Sequence, residues 1–429
     1  MTRIFALLAL VTLAACGTGT LPARQAALAT ASGARGVLDS ATGQPGESAQ
    51  GLPGESAQGL PGESAQGLPG ESAQGLPGES AQGLPGESAQ GLPGASFACP
   101  GVPPAGSAGC TLAVNTNAVP IPNPNLSPAL IPGFQPADLQ NAYGLPAGAP
   151  GTVVAIVDAY DDPTAESDLA VYRTAFGLPA CSSANGCFRK VNQRGSSASY
   201  PAPNTGWSAE IALDLDMVSA ACPQCSIVLV EADSALLDDL GASVDTAVGL
   251  GARAVSNSYY AVEWGNQSVE DAHYRHDGVA ITASSGDRGY PSYPAAAATV
   301  TSVGGTSLSR GGSGWSETGW KYTGHGCSQY VHRPWFQQRL HCSTRSSVDV
   351  AVVADPQTGV ATFSTPGGGW YVAGGTSVGA PLIAAAYALS GRPSGPAFSY
   401  QRWQSFHAVD GAGYHALTGI GSPNGLAGL

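Results

Sequence analysis

Between Gly151 and Gly305, apolar runs alternate with stretches of helical spacing, and few architectures accept that alternation. TVVAIVDAY (152–160), SIVLVEA (226–232), ARAVSNSYY (252–260), GVAITASSG (278–286) and TVTSVGG (299–305) are short, apolar and bounded by Gly or Asp, as buried strands are. Helical spacing marks TAESDLAVYRTAF (164–176), SALLDDLGASVDTAVGLG (234–251) and residues 266–277. Strands separated by helices predict an α/β fold, with a mostly parallel sheet covered by helices on both faces. Functional groups in such sheets gather at the carboxyl ends of strands. Those ends carry Asp158, Asn257, Ser258 and Asp287.

The residues before this region read differently. One Arg precedes an apolar stretch in TRIFALLALVTLAA, so residues 1–15 are expected to be a signal peptide. LAAC at 13–16 resembles a bacterial lipoprotein signal, which implies a lipid on Cys16 and a protein exported to the cell envelope and held at a membrane. The alternative is plain secretion. Residues 16–42 are an anchor-proximal linker. From Gly43 an octad, GLPGESAQ in five copies after one GQPGESAQ, repeats to Gln90, with a truncated copy to Ser96. With at most one Leu per octad it buries no core, so 43–96 is expected to be a disordered spacer. Residues 97–133 are a Pro-rich connector, and the globular domain is expected over 134–429.

Charge and cysteine content narrow the function. With 30 acidic and 17 basic residues the net charge is −13, which gives no attraction for nucleic acid. Beyond Cys16, the other eight cysteines fall into neighbouring pairs: Cys99/Cys110, Cys181/Cys187, Cys222/Cys225 and Cys327/Cys342. In an exported chain these are expected to be four disulfides, nearest-neighbour pairing being the simplest connectivity. Cys222-Pro-Gln-Cys225 also admits a metal or redox reading.

Three short motifs carry candidate chemistry. GGTSVGAPLIAAAYAL (374–389) sets Ser377 after a Gly turn and before an apolar helix, where backbone N–H groups can hold an oxyanion. The competing reading is a serine that merely caps the helix. A nucleophilic Ser needs a base, and none of the seven His lies in an HG-x-H arrangement. A helix over 209–221, capped by Ser208 and ended by Pro223, would stack Glu210 and Asp214 on one face. Paired carboxylates raise one another's pKa and suit a Glu base oriented by an Asp, unless they form an acidic stripe facing solvent. SSGDRGY (284–290) puts Asp287 after a strand, where a protonated carboxyl can donate to an oxyanion or an ionised one can close an Asx turn. Arg288 beside it would favour the ionised form.

Together, Glu210-x-x-x-Asp214, SSGD and GGTS occur in the order and context of the sedolisins, the serine-carboxyl peptidases, and roughly 134–429 resembles that family. The resemblance implies a subtilisin-like fold and an endopeptidase of proteins and peptides active at acid pH. Ser377 would be the nucleophile, Glu210 its base, Asp214 the orienting group, and Asp287 part of the oxyanion hole. Two departures follow. The segment before Cys99 leaves no room for the family's large folded prosegment. At the two positions where the family's calcium carboxylates stand, this chain has Ala408 and His415, so no calcium and no other cofactor is expected, with Asp410 the nearest substitute. Val352, Asp355 and Trp370 are offered as residues lining the cleft. A monomer is expected. An inactive surface-binding relative, or a subtilisin with an unrecognised His, would be the alternatives.

Overall fold

The structure, a computed structural model, describes residues 92–148, 151–312, 314–392 and 395–429. The signal, Cys16, the linker and the complete octads lie outside the described residues.

Among the described residues, eight strands form the central sheet. They are β1 Val153–Ala159, β2 Phe188–Asn192, β3 Ser226–Ala232, β4 Ala254–Asn257, β5 Ala280–Ser284, β6 Thr301–Gly311, β7 Gly314–Gly319 and β8 Val350–Val353. Their order is β7-β6-β5-β4-β1-β3-β2, with β8 also paired to β6. Every pairing is parallel except the β6–β7 hairpin at the edge. The helices are α1 Pro136–Tyr143, α2 Ala165–Ala175, α3 Thr205–Ala221, α4 Leu237–Gly249, α5 Gly379–Ser390 and the short α6 Pro396–Gln401.

Side chains alternate across a strand, and β1 shows what that does. Val154 and Ile156 pack on one face with Leu139, Leu169, Leu213, Leu382 and Ile383 of helices α1, α2, α3 and α5. Ala155 and Val157 enter the opposite core, with Leu237, Leu240 and Val244 of α4. Both faces are therefore covered, and the strands read as continuous apolar runs. Each fully buried Val, Leu or Ile stabilises the fold by roughly 1.5–3 kcal/mol.

Helices α3 and α5 lack a polar face. All residues from Trp207 to Ala221 are buried, as are those from Gly379 to Ala388. A helix buried on all sides lies inside the protein, whatever polar groups it carries. This is why α3 carries its carboxylates into the interior.

Several sequence expectations need correction. Asn204, not Ser208, caps α3, its side chain accepting from the N–H groups of Gly206 and Trp207. Ser208 lies in the first turn and donates to the Asp161 carbonyl. Only Gln267–Ala272 of the expected 266–277 helix forms, as a 3₁₀ turn. The apolar run 252–260 breaks at Ser258, and Tyr259–Val262 is a separate strand. Val352 and Trp370 are core residues with no exposure. Asp355 caps a 3₁₀ turn by accepting from Gln357 N–H.

The folded region also begins earlier than the composition suggested. Leu92, from the truncated octad, is buried. Ala95–Phe97 pairs antiparallel with Ala113–Asn115, and Ala113–Asn115 pairs in turn with Gly369–Gly374. The Pro-rich connector is thus built into the fold. Leu112 enters the main core, and Ala113 packs in a smaller cluster with Leu92, Trp320 and Ala354. The chain forms four disulfides, Cys99–Cys110, Cys181–Cys187, Cys222–Cys225 and Cys327–Cys342.

Candidate active site

Ser377 sits in the turn Thr376–Val378 that leads into α5. The preceding Gly375 has φ +89°, a left-handed value, and a Cβ there would fall 1.9 Å from the Thr111 carbonyl oxygen and 2.7 Å from Asp287 Oδ2. Only Gly fits, and those two oxygens border the same small space. Asp287 reaches it from the loop after β5. Its Oδ1 accepts from the Thr376 N–H (2.9 Å) and hydroxyl (2.8 Å), while its buried Oδ2 has no hydrogen-bond partner.

Glu210 and Asp214 are one turn apart on α3 and wholly buried, which excludes a solvent-facing stripe. Glu210 Oε2 accepts from the Leu112 N–H at 2.8 Å. Asp214 Oδ1 accepts from the Ser258 hydroxyl at 2.8 Å. Glu210 Oε1, Asp214 Oδ2 and both oxygens of Asp158, at the end of β1, are buried without partners. Burial, followed by the mutual repulsion of these groups, pushes the carboxyls of Glu210 and Asp158 well above the usual range. Burial does the same to Asp214, against hydrogen bonds from Ser258 and Ser256. Three carboxyls this close to one another share protons instead of ionising together.

Burial raises Asp287 to about 7, opposed by the two Thr376 hydrogen bonds and, least, by Arg288. Arg288 matters little because its guanidinium turns away. It donates to the Tyr260 hydroxyl (2.7 Å) and the Gly101 carbonyl (2.5 Å). Asp287 can therefore hold a proton near neutral pH and donate it to an oxygen placed at Gly375.

Sequence reasoning missed what covers these groups. Thr111 Oγ1 is 2.5 Å from Ser377 Oγ and 2.9 Å from Ser284 Oγ, and Ser284 donates to the Tyr259 carbonyl. Ser377 has no exposed surface beneath this chain. Its hydroxyl is engaged by Thr111, yet lies close enough to Glu210 to favour the ionised glutamate. No histidine is among its partners; His273 and His276 pair with Asp245 instead. Thr111 gave no signal in the sequence, since it lies in a Pro/Gly-rich stretch with neither strand nor helix period.

The calcium expectation bears on the C-terminal loop. Asp410 is engaged, both its oxygens accepting from the Gly319 N–H. Ala408 offers no ligand, and His415 lies against Gly411. Hard cations take carboxylate oxygens, so this donor set does not fit calcium.

No family model and no curated protein sequence matches the chain. Among solved structures, Pseudomonas sedolisin, a serine-carboxyl proteinase complexed with two molecules of pseudo-iodotyrostatin, is 22% identical. That match covers 68% of this chain and 96% of sedolisin, with a TM-score of 0.59. A lanthipeptide protease is 16% identical over 67% of this chain and 91% of its own, with a TM-score of 0.46. Fervidolysin from Fervidobacterium pennivorans, a keratinolytic enzyme related to subtilisin, is 16% identical over 72% of this chain and 49% of its own, with a TM-score of 0.46. The likeness to sedolisin establishes the architecture: this chain has the subtilisin-like α/β fold.

Proposed function

We propose that the protein is a serine-type endopeptidase in which Ser377 attacks, Glu210 is the general base, Asp214 orients Glu210, and Asp287 donates to the oxyanion. One observation carries this reading: Thr111 and Leu112 together meet three of its four groups. The Leu112 N–H reaches Glu210, the Thr111 carbonyl oxygen borders the space beside Asp287, and the Thr111 side chain touches Ser377. A general base must lie within hydrogen-bond reach of the proton it takes in a plausible substrate pose. The fold shared with sedolisin agrees with it.

The substrates would be proteins or peptides, since the groups around Ser377 engage main-chain atoms. The four disulfides belong to a chain that matures in an oxidising compartment. The LAAC signal extends this to an envelope protein anchored through lipid on Cys16, with the octads as the spacer. Neither a calcium ion nor another cofactor takes part.

The test is hydrolysis of an unstructured peptide across acid and neutral pH. Ser377→Ala and Glu210→Gln should each lower kcat/KM by at least about 10³-fold. The complete burial of Ser377 favours a second reading, a silent binding protein, and that reading expects no turnover by any form.

A further inference from the structure

The end of the sheet opposite the candidate active site carries a groove that the proposed reaction does not use. Asp287 and Ser258 follow the carboxyl ends of β5 and β4, whereas this groove is built on chain that leads into the starts of β6 and β8. Asp349, just before β8, accepts from the Ser302 N–H at the start of β6. The groove measures about 610 Å³ and is lined mainly by apolar and aromatic side chains, Trp335, Phe336, Tyr400 and Trp403 among them, with Arg339 and Gln401 as polar members. That is the size and make-up of a ligand site.

The exposed indoles of the chain gather here. Of its seven Trp, all among the described residues, Trp335 (60% exposed) and Trp403 (42%) are the two that face solvent, and both line this groove. Large apolar side chains collected in one exposed patch mark an interaction site. The floor beneath them is rigid. Gln337 is wholly buried, and its side chain donates to the Tyr400 hydroxyl (2.8 Å) and the Ser346 carbonyl (3.0 Å) while accepting from the Ser346 N–H (2.8 Å). The Phe336 and Tyr400 rings pack with centroids 5.0 Å apart. The Cys327–Cys342 disulfide closes the loop that carries Trp335 and Arg339. A site held in this way loses little freedom on binding.

Charge selects the occupant. Asp and Glu are absent from 318–348 and from 356–409, the stretches that supply most of the lining, while six Lys and Arg fall in them. Asp349, below the floor, is buried and neutralised by Arg345, which meets both its oxygens (2.9 and 2.5 Å). Arg339 is exposed at the groove, and the neighbouring Arg402 lies 3.7 Å from the Phe398 ring. In a chain of net charge −13 this is a positive patch, complementary to an anion. None of the lining residues lies in a strand, so an extended peptide finds no sheet edge to join. A second copy in a two-fold contact would bring the same positive face. Sugar rings fit what remains. Their C–H faces lie on the negative face of an indole, Gln401 can pair with hydroxyls, and a guanidinium takes a ring carboxylate through two hydrogen bonds.

We propose that this groove binds an acidic, carboxylate-bearing polysaccharide, its sugar rings lying on Trp335 and Trp403 and a carboxylate on Arg339. The groove and Ser377 stand at opposite ends of the sheet, so the domain would rest on the polymer with its candidate catalytic groups facing away. The groove shares no residue with that site, and peptide hydrolysis is a separate readout.

The test uses the full chain in about 0.1 M salt, where charges more than about 10 Å away are screened. Tryptophan fluorescence and titration calorimetry follow binding of polygalacturonate and hyaluronan as acidic probes, dextran as the neutral one, and phosphatidylglycerol vesicles as the lipid alternative. The expected result is saturable binding of an acidic polysaccharide, at least about 10-fold tighter than dextran. Trp335→Ala, Trp403→Ala and Arg339→Gln should each weaken it by at least about 10-fold. All three side chains are exposed, so the melting temperature and any peptide hydrolysis should stay as in the parent chain. Binding of neither acidic polysaccharide, equally tight binding of dextran, binding undiminished in the three variants, or binding of the vesicles alone overturns the proposal.

Discussion

Asp287 is the residue whose chemistry is most exposed to test, because its position sets a pH limit. Burial holds its proton to about 7, and as an oxyanion donor it works only while protonated. Turnover should therefore fall as pH rises through about 7. Asp287→Asn keeps a donor that does not titrate, so that alkaline limb should disappear, at some cost in rate. Asp287→Ala should lose about 10²–10³ in kcat, as removal of an oxyanion donor does. Stability moves with the same proton. The folded pKa lies above the unfolded value, so the folded state binds more protons and is favoured at low pH. That stability is whole below about 4 and is lost at roughly 1.4 kcal/mol per pH unit up to about 7. The melting temperature of the Ser377→Ala chain should be higher at pH 4 than at pH 8, and Asp287→Asn should flatten part of that slope. Glu210 is shifted in the same direction. Its carboxyl is raised by burial first and by Asp214 next, against hydrogen bonds from Ser377 and the Leu112 N–H.

At the scale of elements, helix α3 does most to place these groups. It runs through the interior with no solvent-exposed face from Trp207 onward, so its carboxyls meet one another, a few hydroxyls and the backbone N–H groups of Leu112 and Phe363. Its capping residue is Asn204, and Asn204→Ala should cost about 1 kcal/mol, read as a lower melting temperature with the site chemistry intact. Gly375→Ala should be far more damaging to activity than to secondary structure, since the added carbon meets the oxygens of Thr111 and Asp287. These elements were partly legible in the sequence. The strand Ser226–Ala232 has the bounds that its apolar run suggested, and β1 differs by a residue at each end. Ser377, Glu210, Asp214 and Asp287 stood out because each sat in a motif with a local reason to be there. The strand pair around Thr111 was illegible for the opposite reason. Gly109–Cys110 and Ala113–Asn115 are two and three residues long, too short to show any period, and gain their stability from distant partners at Tyr259–Val262 and Gly369–Gly374. Tertiary pairing of this kind leaves no local signature. The same holds for Leu92, an octad leucine like its repeats, which is buried only because the trailing chain turns into the fold.

For the whole molecule, the sheet is legible because both its faces are covered and its strands are continuously apolar. What composition could not show is that the Pro-rich stretch belongs to the domain and lies across its site. Nor does the donor set around Ala408, Asp410 and His415 suit calcium, and we propose that the fold relies on its core and disulfides instead. A thermal melt with and without a chelator checks this: superimposed transitions are expected, and a large drop with chelator would contradict it. All of this depends on Ser377 being a nucleophile served by a carboxylate. The most direct measurement is peptide hydrolysis by the purified chain from pH 3 to pH 8, beside Ser377→Ala and Glu210→Gln. The account predicts activity that rises as pH falls below about 7 and is lost by at least about 10³-fold in both variants. Undiminished hydrolysis by Glu210→Gln would mean that another group takes the serine's proton and would contradict it.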